Sequence, residues 1–128
     1  MKVSELRIGN YLNYYGQDVI VRQIFINEDV ELGYFTDSIG FIRKLTERHS
    51  PDPIPLTEDV LVRCGFTRNG NEFTKDDWMM GLSFDEPYND WHVYECRDSF
   101  HLTTIKRLHQ LQNLYFALTG QELIYEFK

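Results

Sequence analysis

The chain has 128 residues, 42% hydrophobic, 15% aromatic and 26% charged. This composition excludes the disordered class and suits one unit with a real core, or two small parts sharing one. No apolar run approaches the ~20 residues of a membrane span, and the opening MKVSELRIGN lacks a secretory apolar stretch, so a cytoplasmic protein with no membrane partner is expected. The net charge of −7 is concentrated: residues 1–50 carry six basic and seven acidic groups, 51–103 four and eleven, and 104–128 three and two, so the acidic middle is poorly suited to holding a nucleic-acid backbone.

Residues 1–45 read as β structure. Tyr11-Leu12-Asn13-Tyr14-Tyr15 and Asp18 to Ile26 are β-rich runs joined across Gly16-Gln17, a hairpin signal; Val30 to Phe35 and Ile39 to Leu45 follow after polar breaks. Four short strands at about ten-residue spacing predict a small barrel or strongly curled sheet of the SH3-like kind. The stretch from Thr46 to Leu56 holds three of the four prolines and reads as a stiff connector.

Thr57 is placed to cap a short helix over Glu58–Cys64, with Gly65 at its end. Asn69-Gly70-Asn71 between Phe66-Thr67-Arg68 and Glu72-Phe73-Thr74 is tight-turn chemistry. Trp78 to Phe84, an acidic loop Asp85–Asp90 and Trp91 to Cys96 extend this into a meander. From Thr104 to Gly120 no Gly or Pro interrupts the chain before its last residue. Ile105, Leu108, Leu111, Leu114, Tyr115, Phe116 and Leu118 fall on one wide arc at helical spacing, with Lys106, His109, Gln110 and Asn113 outside it. Glu122–Phe127 is expected to return as an edge strand.

The expected fold is therefore α+β: an SH3-like small β-barrel over 1–48, a proline-rich connector over 49–56, and an α+β subdomain over 57–128 whose antiparallel meander packs on one long C-terminal helix.

Three stretches carry a resemblance. Leu6-Arg7-Ile8-Gly9-Asn10, Pro53-Ile54-Pro55-Leu56-Thr57-Glu58 through Gly65-Phe66, and His109-Gln110-Leu111-Gln112-Asn113-Leu114-Tyr115-Phe116-Ala117-Leu118-Thr119-Gly120 resemble an uncharacterised family of small proteins from phages and prophages of gut Bacteroidetes. The resemblance implies a mobile-element setting and supplies no catalytic residue.

Cys64 and Cys96 lack C-x-x-C spacing, and two free thiols are expected. His92, Cys96, His101 and His109 include metal-ligand types without zinc spacing; no metal and no cofactor is expected. Asp76, Asp77, Asp85, Glu86 and Asp90 could pair for acid–base or cation chemistry but read as a solvated acidic segment, and no phosphate loop or nucleophile motif is present, so a non-enzymatic role is expected.

In the long helix, Gln112 sits inside the apolar arc and Arg107 between Leu114 and Leu118, so each is either internally hydrogen-bonded or at the rim of a contact surface. Arg107 and Gln112, together with Tyr14, Tyr15 and Arg22, form the candidate interaction surface. The expected function is that of an accessory protein-binding module, its partner another protein or a second copy. The alternatives are nucleic-acid binding through the N-terminal β part and a DNA-mimicking inhibitor of a host protein.

Overall fold

The computed structural model describes residues 6–14, 17–26, 30–36, 42–46, 52–75, 78–97 and 100–126. They form ten strands, all paired antiparallel, and two α-helices. The chain divides into two compact units, residues 1–54 with Leu108–Leu114 and residues 55–107 with 115–128.

The first unit holds β1 (Tyr11–Tyr14), β2 (Gln17–Ile26), β3 (Val30–Thr36), β4 (Ile42–Thr46) and β5 (Asp52–Pro53) in the order β4-β3-β2-β1-β5. This corrects the expected SH3-like barrel: the sheet is open, with β4 and β5 at its two edges. Pro53 supplies one physical reason. It pairs with Leu12, but having no N–H it cannot continue a ladder on its other side, so the sheet ends there.

Onto this sheet docks the first part of α2 (Leu108–Thr119). The Gln112 side chain accepts from Tyr11 N–H at 2.8 Å and donates to the Gly9 carbonyl at 3.0 Å, so its amide serves as the missing peptide partner just before β1. Asn10 Nδ2 and Arg7 Nε both donate to Asn113 Oδ1, at 2.8 and 3.2 Å, and Asn10 Oδ1 accepts from Arg7 N–H. Gly9 adopts φ 99°, and its N–H reaches Val21 O at 2.8 Å. Asn10 and Gln112 are fully buried beside Leu12, Val19, Val21, Leu108 and Leu111.

Two further expectations are corrected here. The helix starts at Leu108, because Thr104 and Ile105 complete the β-branched run of a strand, and it is a 12-residue helix rather than one long support for a meander. Its buried residues include His109, expected outside the arc, whereas Phe116 and Leu118, expected inside it, are exposed. The buried face keeps Leu108, Leu111 and Tyr115 of the expected arc, and Gln112, inside that arc, meets the backbone groups of Gly9 and Tyr11.

The second unit begins with α1 (Glu58–Arg63), where Thr57 Oγ1 accepts from Val60 N–H. A five-stranded meander follows in the order β10-β9-β8-β7-β6: β6 (Thr67–Asn69), β7 (Glu72–Thr74), β8 (Met80–Asp85), β9 (Asp90–Glu95) and β10 (Phe100–Ile105). Gly70, at φ 68°, turns β6 into β7. Phe73, Leu82, Trp91, Val93 and Ile105 are buried together with Leu56, Leu61, Cys64, Phe66 and Trp78. Trp91 Nε1 donates to Leu56 O at 2.8 Å, and its ring meets Phe73 edge-on. Residues 122–126 form no strand; Leu123 and Tyr125 are buried, and Arg63 donates to the Tyr125 hydroxyl at 3.0 Å. The described part of the protein is thus mostly β.

Replacing Gln112 by Ala leaves a partly buried N–H and a partly buried carbonyl without a protein partner at the entry to β1. The expected cost is about 2–4 kcal/mol, measurable by urea unfolding of wild type and variant.

Candidate metal centre

The β8–β9 hairpin has two different faces. Leu82 pairs with Val93 and Phe84 with Trp91, on the core side; Gly81 with Tyr94, Ser83 with His92 and Asp85 with Asp90 share the other. The two strands are linked by a short 3-10 turn, Glu86–Tyr88, closed by Asn89 in the left-handed region at φ 52°. This geometry sets two carboxylates directly opposite each other, a pairing that is unfavourable without a compensating positive charge.

His92 lies next to them. Its Nε2 is 2.9 Å from Asp85 Oδ2, and ligand atoms of Asp85, Asp90 and His92 fall within 4.8 Å of one another, all three residues being half-buried. Asp90 Oδ1 is inaccessible to solvent and accepts no hydrogen bond among the described residues. A buried carboxylate oxygen in that condition is costly unless a cation or donor meets it. On its other side, His92 Nδ1 stands 3.1 Å from His101 Nε2, with the two rings inclined by 62°. Two carboxylate oxygens and one imidazole nitrogen form a donor set for a borderline divalent ion such as Zn2+ or Mn2+, with coordination positions left open.

Around this cluster the face stays polar. Burial, reinforced by Glu72, pushes the Tyr94 phenol up to about 12, which leaves it a neutral hydroxyl. The Tyr94 ring lies over Gly81, where an added Cβ would fall 2.6 Å from its hydroxyl.

The residues singled out from the sequence are not gathered in one place. Tyr14 and Arg22 lie in β1 and β2 with side chains outside the described part, and Tyr15 is outside it altogether, as are Asp76 and Asp77. Gln112 is buried and internally bonded. Arg107 lies between β10 and α2, half-buried, with its backbone bridged to Pro55. Of the metal-ligand types considered, Cys96 sits in the turn after β9 and His109 belongs to the first unit. The sequence reading considered histidines and carboxylates as separate sets. Asp90-x-His92, with its period of two, is the unused signal that puts a member of each set on one strand face.

Comparison of the chain with protein-family models, curated proteins and solved structures found no match. No described helix is long and apolar enough to cross a membrane.

Both cysteines are free, Cys64 buried and Cys96 exposed. Burial pushes the Cys64 thiol from its ordinary 9.0 up to about 12, against the opposing pull of Lys75 and Arg63. Between those values the unfolded chain has released this proton and the folded chain keeps it. The stability this contributes is therefore present below pH 9.0 and is lost as pH rises toward 12, by at most about 1.4 kcal/mol per unit. Unfolding measured from pH 8 to 11 should fall less steeply in Cys64→Ala than in wild type. At neutral pH a thiol reagent should label Cys96 alone until the chain is unfolded.

Proposed function

We propose that this chain is a non-enzymatic binding protein whose ligand is a divalent transition-metal ion held by Asp85, Asp90 and His92. The observation that carries the reading is the solvent-inaccessible Asp90 Oδ1, set in register with a second carboxylate and beside an imidazole. An ion there relieves the repulsion between the carboxylates and satisfies the buried oxygen, at the acidic end of a hairpin whose other face is anchored by Trp91. This reading departs from the sequence expectation of a protein-binding module without a metal, and it places binding at the β8–β9 hairpin.

Calorimetric titration of chelator-treated protein with Zn2+ and with Mn2+ tests this. One ion per chain is expected, raising stability by about 2.7 kcal/mol at a hundredfold excess over Kd. Asp90→Asn should have opposite effects in the two forms: the metal-free protein gains stability because a buried charge is removed, and the metal-linked gain is lost. Absence of both heat and stabilisation with either ion sinks the proposal.

A second reading concerns a protein partner. Strand β10 is the terminal strand of its sheet, and Phe100 and Leu102 on it are 66% and 40% exposed, so a strand of another chain, a second copy first, can add there. Sedimentation velocity over a concentration series should show a rise in mass that Leu102→Lys abolishes; a constant monomer mass removes this reading.

A further inference from the structure

Plain alternation along β10 puts residues 101, 103 and 105 on one face. Ile105 pairs with Trp91 and is buried, and Thr103 pairs with Val93, so a regular strand would carry His101 to the core side, opposite Glu95. The ladder does otherwise: between His101 and Thr103 the register shifts by one residue, and His101 pairs with Tyr94 on the face of His92. Leu102 is the extra residue and is left substantially exposed. An apolar side chain is thus left in water at the one irregularity in β10, and what the irregularity achieves is the contact between two imidazoles.

From this geometry we infer that His101 is a positioning residue for the metal centre, holding the His92 ring so that Nε2 faces Asp85 and Asp90 as a lone-pair donor. The inference rests on the metal-binding reading above. An imidazole that binds an ion through Nε2 carries its proton on Nδ1, and that proton needs an acceptor; His101 Nε2, at 3.1 Å, is that acceptor. Without the ion, the same two rings hold the reverse arrangement, in which His92 Nε2–H donates to Asp85 and Nδ1 accepts from His101. The pair accommodates both states without moving a strand. His101 is itself exposed on an edge strand, so its removal does not disturb the core.

The test uses the full chain, Zn2+ as the probe, a competing chromophoric chelator for affinity, and nitrogen-edited NMR of the imidazoles to read which ring nitrogen of His92 bears hydrogen. In wild type, Zn2+ should move that hydrogen to Nδ1. His101→Ala should weaken Zn2+ binding 10- to 100-fold with no change in the unfolding midpoint of the metal-free protein. His101→Gln, whose carbonyl can accept the same N–H, should recover most of the loss. Unchanged affinity in His101→Ala overturns the positioning role. Complete loss of binding in both variants also overturns it, by making His101 a direct ligand. Wild-type protein that binds no Zn2+ sinks the metal-binding reading itself, and this inference with it.

Discussion

One side-chain amide does the work of a strand. Gln112 offers a carbonyl to Tyr11 N–H and an N–H to Gly9 C=O, two partly buried groups that would otherwise have no peptide opposite them. Unmet backbone polar groups cost more than a typical hydrogen bond gains, so this constraint fixes which side of α2 turns inward. The remaining contacts conform to it: Asn113 collects donors from Arg7 and Asn10, Leu108 and Leu111 fill the apolar space, and Leu108 N–H reaches Ile54 O at 2.9 Å. Leu6–Asn10 and the first turns of α2 lie about a hundred residues apart in sequence. In the folded chain residues of the two are hydrogen-bonded to each other.

The same contrast between near and far explains what could be read from sequence. The Thr57 cap, the turn at Gly70 and the strand character around β8 and β9 depend on residues within a few positions, and local chemistry announces them. The start of α2 was misread because Thr104 and Ile105 suit the helical apolar arc as well as they suit β10, and only pairing with His92 and Trp91 settles the choice. The inward face of α2 was right at Leu108, Leu111, Gln112 and Tyr115 and wrong at His109, Phe116 and Leu118, because which edge of a wide arc is covered depends on packing far along the chain. Closure of the N-terminal sheet was assumed from strand spacing, which counts strands without saying which of them are edges.

The carboxylate–histidine cluster proposed to hold a metal was half legible. Asp90 and His92 share a face by simple alternation, whereas Asp85 joins them through hairpin register and His101 through an irregularity that no propensity scale marks. Charge told a similar partial story: the acidic middle was visible as composition, but one of its carboxylate oxygens is sealed from water, which a solvated loop would not do. Burial, rather than the number of charges, separates a site from a soluble surface.

Neither compact unit is a continuous piece of chain: residues 1–54 are completed by Leu108–Leu114, and the intervening segment belongs to the other unit. On a ribosome adding roughly 5–20 residues each second, the first sheet emerges several seconds before the glutamine that satisfies its backbone has been made. During that interval Gly9 and Tyr11 have only water or a chaperone to answer them. Vectorial synthesis thus leaves the N-terminal sheet without its side-chain amide partner until α2 has been made.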